Sequence, residues 1–178
     1  MLAAAGIVVY AAQFSDFGSG GTTGVRLDAA PPPAAASPIA VRLANAIGRA
    51  NLGRRFRAVD MAKVAPFRWE RVYVFANEAS DDIKRRLGFD WTGAPETVPR
   101  SGQHESLLAF VRGGQVAGSA FFSDAIGHLD CLTAEGGYPR GTRFVVRYTR
   151  NDHAPYLATT RPDAADAACL HAVAAVTH

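Results

Sequence analysis

The residues with the most chemical capacity lie close together in the second half of the chain. Asp124, His128, Asp130 and Cys131 bring two carboxylates, an imidazole and a thiol into one short segment. Two kinds of chemistry use such a set. Asp124, His128 and Asp130 suit a divalent metal, provided three or more ligands converge and a second layer of contacts fixes them. Cys131 is a nucleophile only if a base, among His128, His104, His153 and His171, stands within hydrogen-bond reach. Either use describes a small hydrolase or metal-dependent enzyme built on His128, Asp130 and Cys131. The competing reading is structural: Gly127 marks a tight turn, Asp130 caps it, His128 lies at the surface and Cys131 packs or pairs. No strained nucleophile elbow, oxyanion-type glycine loop or evident orienting acid accompanies the set. Gly18, Gly20, Gly21 and Gly24 lack the Lys-Ser/Thr helix start that a phosphate loop requires. The enzyme is therefore the alternative reading, and no cofactor is expected.

A second group of residues suits binding. The chain carries a formal charge of +3, but between Ile39 and Arg86 eleven Lys and Arg face only five Asp and Glu. Arg54, Arg55 and Arg57 form the densest cluster. Such a field attracts an acidic protein, an anionic surface or nucleic acid, and the competing reading is a solvated face. Nucleic acid is not expected, because no aromatic-interleaved groove motif or recognition helix accompanies the arginines. Trp69, Tyr73 and Trp91 are read first as packing, with a stacking platform for a ligand or partner as the functional option.

The elements that must position these groups fall in three stretches. Residues 1–15 carry no charge before Asp16 and form an apolar run that resembles a signal-peptide core. The run is shorter than the about 20 residues of a spanning helix, and no basic residue precedes it. A cleaved signal, an uncleaved anchor and a true start further upstream all remain open, as does an interior strand written by Ile7, Val8, Val9 and Tyr10. Residues 16–37 are rich in Gly, Pro and Ala, a composition that cannot bury enough apolar surface to fold and reads as a linker. Residues 38–178 are expected to be a single globular domain.

Within that domain Ser37 and Pro38 open a helix with Ile39, Leu43, Ile47 and Ala50 on one face. Phe56 to Val64 reads as extended. Arg71 to Ala76 is a strand with Val72 and Val74 on one side and Tyr73 and Phe75 on the other. Ser80 is expected to cap a short helix ending at Gly88, with Ile83 and Leu87 inward. Gly113-Gly114 joins Leu107–Val111 and Val116–Phe122 as a hairpin. Thr142 to Arg150 alternates as a half-buried strand expected to join the hairpin sheet. Thr160 with Asp163 opens a final helix turning Ala165, Cys169, Ala172 and Val176 inward. The fold class is α+β: a mainly antiparallel sheet with helices packed on one face, preceded by the apolar segment and linker. Cys131 and Cys169 match neither a redox pair nor a zinc set; they form either a disulfide, in an oxidising compartment, or two separate buried thiols.

The run Phe67-Arg68-Trp69-Glu70-Arg71-Val72-Tyr73-Val74-Phe75, followed by Ile83, Leu87-Gly88, Trp91 and Leu107-Leu108-Ala109-Phe110-Val111, resembles a group of small uncharacterised bacterial envelope and lipoprotein domains. The likeness covers about residues 56–150. It implies an envelope location and a helix-on-sheet layout but no activity, and the anchor cysteine of the lipoprotein members is missing. The expectation is thus a non-catalytic binding domain, periplasmic or secreted and possibly held at the inner membrane by an uncleaved first segment, with a protein partner or acidic surface as its target.

Overall fold

The computed structural model describes residues 37–51, 58–96, 105–148 and 155–175. The apolar segment at 1–15, all of the 16–37 linker except Ser37, and the arginines at 54, 55 and 57 lie outside the described residues.

Helix α1 (Pro38–Asn51) starts as its sequence dictates: Ser37 Oγ accepts the Ile39 N–H at 3.3 Å, and the proline fills a position whose N–H needs no partner. Leu52 and Gly53, where its end is expected, lie outside the described residues. Ile39, Leu43, Ile47 and Ala50 are all buried on one face. The next stretch is less extended than its sequence suggests. Only β1 (Ala58–Val59) is strand; Asp60 then accepts the Ala62 N–H at 3.0 Å and caps the single turn of α2 (Met61–Val64). A capping carboxylate decides the local structure there, against the pattern of β-branched residues.

Strand β2 (Arg71–Phe75) and the hairpin β3 (Glu105–Arg112) and β4 (Gln115–Ser123) form an antiparallel sheet, with β5 (Tyr138–Pro139) on the far side of β2, in the order β4-β3-β2-β5. Both turn glycines take positive φ, 55° at Gly113 and 73° at Gly114, as the sequence requires. Val111 pairs with Val116 and Phe110 with Gly118, so Ala117 is an extra residue that bulges β4.

The alternating strand does not join this sheet. Instead β6 (Phe144–Tyr148) pairs with β1 and with β7 (Pro155–Thr159) in a second, three-stranded antiparallel sheet. Phe144 and Val146 point inward, whereas Tyr148 is exposed. Strand β7 has no clear sequence signal, because its five residues Pro-Tyr-Leu-Ala-Thr do not alternate.

The two faces of the four-stranded sheet carry separate cores. On one, Val72, Val74, Leu108, Phe110 and Phe122 pack with the inward residues of α1, α2 and the second sheet. On the other, Tyr73, Phe75, Leu107 and Ala109 pack with Ile83 and Leu87 of α3 (Ser80–Leu87). Helices therefore cover both faces of this sheet. Helix α3 departs from expectation at its start: Ala79 holds the cap position and makes no side-chain bond, leaving Ser80 as the first helical residue. Its end is as expected, with Gly88 left-handed at φ 75°.

Arg86 ties α3 to the sheet. It forms an ion pair with Glu78, donates to the Val74 carbonyl at 3.1 Å and the Ala134 carbonyl at 3.2 Å, and lies 4.8 Å from the Phe75 ring centre. Burial raises the Glu78 carboxyl above its ordinary range, and the Arg86 charge acts in the opposite direction.

Gly137 combines a close backbone approach with a left-handed conformation. Its φ is 64°, and a Cβ there would sit 2.9 Å from the Tyr73 ring. Gly137→Ala is expected to lower unfolding free energy by about 2–4 kcal/mol, combining left-handed strain with displacement of a core aromatic, as measured by denaturant titration.

Candidate anion-binding groove

The helix repeat places Arg42, Ala46, Arg49 and Ala50 along one side of α1. Opposite them stand Ala58 and Val59 of β1, Asp60, which caps α2, and Lys63 and Val64 of α2. These residues line a groove of about 430 Å³. The alanines keep it open, since a longer side chain at either position would fill it. Its charge is lopsided: three cations face one carboxylate. Asp60 is committed to capping α2, and its contact with Lys63 is loose, 4.0 Å between side chains 87% and 51% exposed. A pair so exposed contributes little. Neither Arg42 nor Arg49 pairs with a carboxylate among the described residues. The segment carrying Arg54, Arg55 and Arg57 connects α1 to β1, and those side chains lie outside the described residues.

The aromatic platform does not form. Trp69 is 3% exposed, donates its indole N–H to the Ala65 carbonyl at 2.9 Å, and lies under the Arg140 guanidinium at 5.0 Å. Tyr73 belongs to the core on the opposite face of the sheet, where Trp91 packs beside it, half-buried. Alternation along β2 separates the two environments, so Trp69, Tyr73 and Trp91 are packing residues.

The segment after β4 is tied into the fold at several separate points. Asp124 accepts a bond from Ser106 Oγ at 3.4 Å. The His128 N–H donates to the Pro155 carbonyl and its carbonyl accepts from the Leu157 N–H, a parallel bridge along the outer edge of β7. Its imidazole stacks on the Tyr156 ring with centres 4.5 Å apart. Asp130 Oδ1 is buried without a partner. Among the described residues no three His, Cys, Asp or Glu side chains are placed to hold a metal ion. Cys131 is bonded to Cys169, with Cα atoms 5.4 Å apart, so its sulfur is no free thiolate. His104 and His153 lie outside the described residues, and His171 is exposed on α4 (Ala164–Ala175). Among the described residues, Cys131 is therefore not available as a nucleophile and Asp124, His128 and Asp130 do not converge as a three-ligand metal set.

Sequence reasoning misses one buried cluster. Asp163 Oδ1 caps α4 by accepting the Asp166 N–H at 2.8 Å. The side of α4 that turns inward carries Asp166 and Cys169, whereas Ala165 and Ala172 are exposed and Val176 lies outside the described residues. Asp166 is 1% exposed. It accepts from the Thr133 N–H at 2.9 Å, Thr133 Oγ at 3.2 Å and the Tyr138 hydroxyl at 2.8 and 2.9 Å. Tyr138 in turn accepts the Ala134 N–H at 3.1 Å. Burial, with the Asp166 carboxylate beside it, holds the Tyr138 phenol far above its ordinary value near 10. The available signal is the three-residue spacing from Asp166 to Cys169: once the sulfur is anchored, the carboxylate one turn earlier faces the same way.

No family model, curated protein or solved structure matches this chain. Among the described residues no helix is long and apolar enough to cross a membrane.

Thiol titration under denaturing conditions is expected to find no free thiol before reduction and two after it. By loop-closure entropy over a 38-residue separation, Cys131→Ser with Cys169→Ser removes about 4 kcal/mol of stability. Tyr138→Phe is expected to cost about 1–3 kcal/mol by leaving Asp166 and the Ala134 N–H short of a partner. It also changes the alkaline limb. Because the folded phenol keeps its proton while the unfolded one releases it near 10, native stability falls as pH rises past that value. In Tyr138→Phe that contribution is absent, which denaturant midpoints across alkaline pH measure.

Proposed function

We propose that this chain is an exported, non-catalytic binding domain that docks an acidic segment of a protein partner in the groove between α1 and the β1–α2 turn. The observation that carries the proposal is the pair Arg42 and Arg49, which share one side of α1 and have no carboxylate partner among the described residues. Charges left uncompensated beside a concave surface raise the local concentration of anions and accelerate their capture. Ala46 and Ala50 let a main chain approach closely while the arginines fork onto its carboxylates. Arg54, Arg55 and Arg57, in the connecting segment, add to the same field. The disulfide supports an oxidising compartment, as does the resemblance of residues 1–15 to an export signal. A periplasmic or secreted domain, tethered through residues 16–37 if the first segment is retained, accounts for these features together.

The test uses a fluorescent oligo-glutamate peptide and an oligo-serine control, read by anisotropy on the full chain. Binding of the acidic peptide alone is expected, with affinity falling steeply as salt rises. Arg42→Glu with Arg49→Glu should weaken it at least about tenfold, the effect of about 1.4 kcal/mol. Equal affinity in that variant, or no preference for glutamate at low salt, overturns the proposal.

A further inference from the structure

A second concavity lies on the other side of β6, between the strand ends and the start of α4. It has a volume of about 280 Å³, and its lining includes Tyr138, Arg143, Thr159, Arg161, Asp163 and Asp166. Two features distinguish it from an ordinary surface dimple. Thr159 is 5% exposed, and its buried Oγ neither donates nor accepts a hydrogen bond. A hydroxyl left so is costly, and few buried polar groups in native proteins go without a partner. Asp166 is the second feature. It is a buried carboxylate that pairs with no cation among the described residues. Its neutral donors are unevenly shared: Thr133 serves only Oδ1, leaving Oδ2 with the Tyr138 hydroxyl. Spare acceptor capacity therefore remains on an anion that has no counter-charge. At the rim the order of charge reverses, because Arg143 and Arg161 are both exposed. Asp163 Oδ1 is occupied by the Asp166 N–H.

We infer that this cleft binds a small zwitterion, a free α-amino acid, with its ammonium directed to Asp166 and Thr159 and its carboxylate to Arg143 and Arg161. An ammonium brings three donors and the missing positive charge to the buried end. A carboxylate matches the planar guanidinium groups at the rim. The volume lies just below the about 300–1,000 Å³ typical of small-molecule sites, which limits the ligand to a small side chain.

Amide NMR spectra of the full chain, titrated with glycine and L-alanine, test the inference. Acetate and methylammonium, each carrying one half of the ligand, serve as controls. Shifts at Tyr138, Thr159 and Asp166 are expected with the amino acids, at concentrations at least about tenfold below those at which either half acts alone. Thr159→Val should weaken binding about tenfold while thermal stability holds or rises, since it removes an unpaired hydroxyl from a buried position. Arg143→Ala with Arg161→Ala changes only exposed side chains and should weaken binding to a similar extent. Absence of shifts with both amino acids, equal response to acetate, or unaltered binding in Thr159→Val overturns the inference.

Discussion

Helix α4 has little apolar bulk to bury. Its sequence is dominated by alanine, and among the described side chains the one strongly buried is a carboxylate. Hydrophobic packing at about 25 cal/mol per Å² cannot hold such a helix on the domain. What holds it is a covalent bond at Cys169 and, one turn earlier, a hydrogen-bonded anion at Asp166. The two attachments reach the same stretch of chain, since Cys131 and Thr133 are neighbours and Tyr138 follows. The loop between the sheets, β5 and the last helix are thereby fixed as one unit. Phe144 of the second sheet packs edge-on to Tyr138 at 5.5 Å, so the polar anchor is continuous with the main core.

That arrangement explains which parts of the fold can be read from sequence. The hairpin is legible because two adjacent glycines with positive φ admit few other structures, and β2 is legible because both of its faces are written in large apolar residues. The C-terminus of α3 is legible for the same reason as the hairpin: Gly88 is left-handed. Sheet membership is not legible. Alternation along β6 states that one side is buried, but not against which neighbour, and its partners are a two-residue strand and a strand without alternation. The inner side of α4 is also hidden. A reading based on apolar periodicity turns Cys169 inward, as it is, but sets Ala165 and Ala172 beside it, while the structure puts there an acid, Asp166, whose preference carries no hydropathy signal.

The candidate sites divide along similar lines. The basic bias of the first half of the domain is visible in composition, yet the residues that line the groove, Arg42, Arg49 and Lys63, are not the densest run of arginines. They meet because a helix repeat and a short capped turn face each other. The acids, imidazole and thiol grouped at 124–131 suggest chemistry by proximity in sequence, but Asp124, His128 and Cys131 are tied to separate parts of the fold, through a bond to Ser106, an edge contact to β7 and a cross-link to α4. Proximity along a loop is a poor guide to convergence, because successive side chains there point in different directions.

The extra residue in β4 bears on how this domain behaves among copies of itself. A sheet's outer strand offers free backbone groups to any neighbouring strand, and β4 is nine residues long with its own Phe121 40% exposed. The other outer strands are β1 and β5, of two residues each, and β7, part of whose edge the His128 segment occupies. Ala117 interrupts the regular spacing of donors and acceptors along the remaining long edge. A second molecule pairing along β4 would match only part of that strand before losing register, so the bulge limits edge-to-edge pairing on a strand that carries no charged residue.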